Sequence, residues 1–266
     1  MKLLPNININ PFLRMAWVSE EARAKWETVI RECAQMVQEL EIESVAAGQR
    51  ACAWRTVARE SLPGFVASNA KMGLVTIPVQ WVGGWQGFVH YTPKGDSQAY
   101  CIVSRTLVDA EQYREYFNSG DHDSQGRMLG FPECCRKAFA ENWKDGYFDP
   151  IYQAWEKSCG EVHSYSNPLL RYVGLRVGFH IPHSFDCQET INAGAERLSL
   201  TKDRGLVKLL TSLLSMPMRW EALHGIAVVR TPIFYIVTST VPTGEKYIIE
   251  VEGKFIPREG QWQKNM

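Results

Sequence analysis

Two stretches rich in β-branched residues, 74–82 and 226–240, stand either side of a long segment patterned at the helical period. That arrangement sets the class, because β-branched side chains suit a half-buried pleated surface. Residues 74–82 read as a strand, Gly83-Gly84 as a turn and 87–92 as the return strand. Pro93-Lys94-Gly95-Asp96 turns the chain again before a strand over 99–105. Pro78 cannot donate to a ladder, so the first strand lies at an edge or carries a bulge. At the far end the strand pattern over 226–240 breaks at Pro232, Pro242-Thr243-Gly244 turns it, and 246–252 runs back.

Helices are expected over 109–117, 123–129, 132–144, 150–157, 168–177, 184–198 and 206–214. An earlier helix opens near Ser19, with Glu20 and Glu21 in its first turn. Its buried stripe is Trp26, Val29, Ile30, Cys33, Val37 and Leu40, spaced by threes and fours. The expectation is an α+β fold over 1–266, with an antiparallel sheet from the N-terminal and C-terminal β regions flanking a helical middle. A subdivision into 1–106 and 107–266 is the alternative. Whether the two β regions share one sheet is open at this level.

The 266 residues carry 29 basic and 29 acidic side chains and are 45% hydrophobic, which excludes a disordered chain and a polybasic coat. A chain of this size buries enough surface to fold without disulfides. No apolar run spans a bilayer, and the start lacks the apolar core of a signal peptide. A cytoplasmic protein without membrane partners is expected, with its seven cysteines reduced.

Two stretches concentrate the chemistry: Leu129-Gly130-Phe131-Pro132-Glu133-Cys134-Cys135-Arg136 and His180-Ile181-Pro182-His183-Ser184-Phe185-Asp186-Cys187. Pro132 suits the first helical position, which puts Cys134 near the free N–H groups. Ser184 reads as an N-cap, which puts Cys187 at about the third position. Both sequences therefore aim a thiol at the positive end of a helix, where thiolate is stabilised. Cys134, Cys135, His183 and Cys187 are the candidate metal ligands. Adjacent residues point about 100° apart on a helix, so one of the cysteine pair is expected to bind and the other to pack, unless the site is a cluster. The plain alternative is two buried cysteines and two ordinary histidines.

Asp121, His122 and Asp123, together with His180, are candidate proton-handling groups. Asp121, Asp123 and Gly126 resemble the start of an EF-hand, but Gln125 is neutral and Glu133 falls one place late, so calcium is rejected. A polar N-cap with an acidic first turn is the favoured plain reading of Asp121, His122 and Asp123. Trp81 and Trp85 flank Gly83-Gly84 and are read as cross-strand packing. Arg50, Arg55 and Arg59 fall at helical spacing and read as a solvated face. Cys52, Cys101 and Cys159 have no histidine at ligand spacing and are taken as structural. His90 alternates with apolar residues in a strand and reads as a surface or paired position, while His163 and His224 carry no signal.

At the two cysteine stretches the chain resembles a family of proteins of unknown function found in archaea, bacteria and phages. That family carries a Gly-Tyr-Pro-x-Cys-Cys segment followed by Pro-Cys-Ser-x-x-Cys. Gly130-Phe131-Pro132-Glu133-Cys134-Cys135 matches the first with Phe for Tyr. Pro182-His183-Ser184-Phe185-Asp186-Cys187 matches the second, with His183 in place of Cys. The likeness covers the middle and C-terminal parts, not the first ninety or so residues. It implies that the cysteines act as a set. Histidine replaces cysteine readily at zinc sites and less readily at iron–sulfur sites, so the exchange favours a mononuclear metal.

Three functions fit. The first is a zinc or iron enzyme, with one coordination position open and a small anionic or nucleotide-like substrate drawn to the helix N-termini. The second is a metal-free enzyme with a cysteine nucleophile and His180 or His183 as base. The third is a non-catalytic module stabilised by a closed zinc site. Neutral net charge gives nucleic-acid binding no support. No Gly-rich phosphate loop or HExxH motif narrows the reaction.

Overall fold

The computed structural model describes residues 13–83, 95–144, 149–240, 244 and 246–251. Among these residues the fold is mixed α+β, with two antiparallel sheets. The chain divides into two compact units, Glu39–Ala140 and the remainder. The expected strand over 87–92, Trp85 and His90, and the turns at Pro93-Lys94 and Pro242-Thr243, lie outside the described residues.

After β1 (Arg14–Trp17), the Ser19 hydroxyl accepts from Ala22 N–H at 3.1 Å and opens α1 (Glu20–Ala46). Ile30, Cys33, Val37 and Leu40 of the expected stripe are buried, whereas Trp26 and Val29 are partly exposed. In the Glu39–Ala140 unit, β2 (Cys52–Ala58), α2 (Leu62–Lys71), β3 (Val75–Val82) and β4 (Gln98–Ser104) follow. The sheet order is β2-β4-β3. Pro78 sits on the edge strand at a register shift, so both of its expected signatures are present.

β2 and α2 were not expected, and they correct the reading of the arginines as one helical face. Trp54, Thr56 and Val57 favour a strand here. Arg55 lies on β2 and pairs with Glu41 at 2.9 Å, while Arg59 opens a 3-10 turn (Arg59–Ser61). One sheet face packs Ala53, Val103 and Leu74 against Ile42 and Val45 of α1. The other packs Cys52, Trp54 and Ile102 against Ala110, Tyr113 and Phe117 of α3 (Leu107–Ser119).

The route from α3 to the cysteine pair is tightly specified. Asp121 caps α4 (His122–Met128) by accepting from Ser124 N–H at 3.0 Å. The helix ends on Gly130, whose φ of 71° is left-handed. Gly130 N–H bonds Arg127 C=O at 3.0 Å, and Phe131 N–H bonds Gly126 C=O at 2.9 Å. That pair of bonds is a Schellman motif, which wants glycine at this position. A Cβ on Gly130 would also lie 2.9 Å from the Cβ of Arg50. The buried Arg50 guanidinium bonds Ser44 Oγ at 2.8 Å and the carbonyls of Glu41 and Leu129, tying this turn to the end of α1. α5 (Glu133–Lys144) then begins.

The other unit contains β1, the first part of α1 and the C-terminal elements. Asp149 caps α6 (Pro150–Glu156) and also accepts from the Thr240 hydroxyl. The helix expected over 168–177 is instead irregular chain with one 3-10 turn (Arg171–Val173), stopped by Gly174 at φ 80°. α7 (Gln188–Leu198) and α8 (Arg204–Leu214) precede the second sheet. Its strands are β5 (Met218–Leu223), β6 (Ile226–Arg230), β7 (Phe234–Ser239) and β8 (Tyr247–Val251), in the order β1-β7-β6-β5-β8. His224 and Gly225 join β5 to β6 with φ of 51° and 82°, the positive pair of a type I′ hairpin.

The last strand does not run back along its predecessor. β1 holds the free edge of β7, pairing Arg14 with Val237 through Trp17 with Phe234. β8 therefore pairs with β5. Alternation along the sheet buries Trp220, Ala222, Val229, Phe234, Ile236 and Ile249 on one face.

Candidate metal centre

α5 opens one residue later than expected. Pro132 supplies the first accepting carbonyl, to Cys135 and Arg136 N–H at 3.0 Å each, so Cys134 and Cys135 are the second and third helical residues. Arg136 braces this start, bonding Asp123 Oδ1 and Phe131 C=O at 2.9 Å each. A Cβ on Gly126 would collide with its side chain, which explains the glycine there.

The second stretch departs further from expectation. The helix starts at Gln188 rather than Ser184, and Cys187 is itself the N-cap residue. Ser184 C=O instead accepts from Cys187 N–H at 3.2 Å in a turn. The turn is held from outside. Ser158 Oγ accepts from Phe185 N–H at 2.8 Å, and Phe185 C=O accepts from His163 N–H at 3.2 Å and from the Ser166 hydroxyl. Asp186 Oδ2 accepts from Cys159 N–H at 2.9 Å. Burial works to raise the Asp186 pKa, yet this bond and those from Ser184 and nearby backbone outweigh it and hold the carboxyl below its usual range.

In the first turn of α7, fully buried Thr190 donates its hydroxyl to Cys187 Sγ at 3.2 Å. The same oxygen lies 3.0 Å from His180 Nε2. Burial, with the charge of Arg197 next in weight, pushes the His180 pKa down to about 3, so its ring is neutral at pH 7.

The sulfurs of Cys134, Cys135 and Cys187 and a ring nitrogen of His183 lie within 4.8 Å of one another, a group able to hold a metal ion. The sulfurs of Cys134 and Cys135 are 3.9 Å apart and unbonded. The expectation that one cysteine of the pair would turn away is corrected. Side-chain rotation overcomes the 100° between neighbouring helical positions and brings both sulfurs to the same group.

No family model matches this chain, and no curated protein or solved structure does.

The remaining candidates have visible local work. Asp121 caps α4, Asp123 pairs with Arg136, and the His122 ring stands edge-on to Phe139 with centroids 6.1 Å apart. None of the three is in the ligand group, and neither is His180. Cys33, Cys52 and Cys101 are fully buried, and burial pushes their thiols up to about 12, 12 and 11. Cys159 is exposed. Thr190, Ser158 and Ser166 were not anticipated. Only Thr190 left a trace in the sequence, standing three residues after Cys187 on the helical period.

Proposed function

We propose that this protein binds one zinc ion through Cys134, Cys135, His183 and Cys187, and that the centre is closed and structural. The observation that carries this reading is the number of protein ligand atoms gathered within 4.8 Å: four, three of them sulfur. Structural zinc sites are tetrahedral with four such ligands, whereas catalytic ones hold three and leave a place for water. The crowding also favours a single ion, because a cluster would set iron and sulfide atoms between its ligands.

Electrostatics supports the assignment. Three thiolates and one neutral imidazole around a divalent ion leave one net negative charge. Cys187 caps α7, and the cysteine pair lies in the first turn of α5, so each of these thiolates stands at the positive end of its own helix. Bound metal would link stretches far apart in the chain, which makes binding energy available as folding energy. The histidine at position 183 is an exchange that zinc accepts, and membership of the resembled Cys-Cys family belongs to this proposal. So does a reducing compartment such as the cytoplasm, where thiolates persist. Among the described residues no helix is long and apolar enough to cross a membrane. The enzymatic reading would need one of the four ligands to stay off the metal and yield its place to a substrate.

Metal analysis with an absorption spectrum on protein purified without oxygen tests the proposal. One zinc per chain and no visible band is the expected result. A visible band with stoichiometric iron, or no metal at all, overturns it.

A further inference from the structure

We infer that Thr190 is a positioning residue for the metal: its hydroxyl, oriented by His180, holds the Cys187 sulfur as a hydrogen-bond acceptor and tunes its bond to zinc. The inference rests on the zinc reading above and deepens it.

Inside α8 the part-buried Thr211 returns its hydroxyl to Val207 C=O at 2.8 Å, whereas Thr190 stands in the first turn of α7, three residues after the N-cap Cys187. It donates to Cys187 Sγ at 3.2 Å. A hydroxyl has one hydrogen, so the contact with His180 Nε2 at 3.0 Å then has the imidazole N–H donating and the Thr190 oxygen accepting. The chain of donors runs His180 to Thr190 to Cys187, and ends on a sulfur that accepts weakly as a thiol and more strongly as a thiolate. Partners of this kind orient metal ligands and set their basicity. His180 thereby acquires a role that is neither ligand nor proton-transfer base. Arg197, buried, and Arg176 both lie over the Phe179 ring, next in sequence to His180.

The test compares the wild type with Thr190→Val, which keeps the shape and removes the hydroxyl, and with Thr190→Ser, which keeps the hydroxyl. His180→Phe removes the orienting donor and leaves Thr190 in place. Zinc affinity is measured by competition with a chromophoric chelator, and the thiolate-to-metal charge-transfer band is measured after cobalt substitution. Thr190→Val is expected to lose about 10–100-fold in zinc affinity, the range for outer partners of metal ligands. Its band should move to lower energy, because a thiolate relieved of a hydrogen bond donates charge more easily. Thr190→Ser should restore both readouts, and His180→Phe should shift the band in the same direction by less. A Thr190→Val protein with wild-type affinity and an unmoved band overturns the inference. Should that variant fail to fold, an unmoved band in His180→Phe overturns it equally. A wild type that binds neither zinc nor cobalt overturns the zinc reading itself and takes this inference with it, so the two failures are distinct.

Discussion

Stripping the metal with a chelator is expected to lower the melting temperature by roughly 8–16 °C. A ligand that binds only the folded state, present at a thousand times its dissociation constant, stabilises by about 4 kcal/mol. For a chain of this size each kcal/mol moves the midpoint by about 2–4 °C. The physical source is the distance in sequence between the Cys134-Cys135 pair and His183, since closing a long loop is costly for the unfolded chain and the ion holds it closed. Cys187→Ser should melt at the lower temperature from the outset and show no further response to chelator. Differential scanning calorimetry reads both. A wild type whose melting is indifferent to chelator would mean that the four side chains pack together without a metal.

Thiol counting should give one fast-reacting cysteine in the native protein and four after chelation. Seven cysteines are present. Cys33, Cys52 and Cys101 lie in the core with raised pKa values and should stay silent in both conditions. Cys159 is exposed and should react at once. Cys134 is the diagnostic residue. It is only half-buried, so burial alone does not protect it, whereas coordination does. Cys135 and Cys187 are buried and should follow it as the ligand group loosens. Mass spectrometry after brief alkylation identifies each site. Cys134 modified rapidly before chelator is added would favour a free nucleophile over a metal ligand.

Much of the fold could be read along the chain where local signals agreed with tertiary demands. Ser19 with Glu20 and Glu21 marked the start of α1, and Pro78 marked an edge strand with a bulge. The failures have physical reasons. β2 was hidden because Arg50, Arg55 and Arg59 imitate a helical face, although Trp54, Thr56 and Val57 pair with β4 and Trp54 packs against α3. β8 found β5 because β1, a four-residue strand with little pattern of its own, took the edge of β7. Pairing between distant strands is a tertiary choice that alternation alone does not encode. Ser184 looked like a cap, but hydrogen bonds to Ser158 and from Ser166 and His163 hold residues 184–187 as a turn and delay α7 to Gln188.

At the site, the ligand types and their helix-end positions were legible because cysteine, histidine and cap residues each have a local signature. That both Cys134 and Cys135 join the group was not legible, since side-chain rotation decides it. Nor was the Thr190–His180 pair, which acquires meaning only once Cys187 Sγ has a position in space.

The most direct test of a four-ligand centre is zinc-edge X-ray absorption on the protein as purified. The account predicts three sulfurs at about 2.3 Å and one nitrogen at about 2.0 Å. A shell containing a water oxygen in place of one of these ligands, or fewer than three sulfurs, would contradict it.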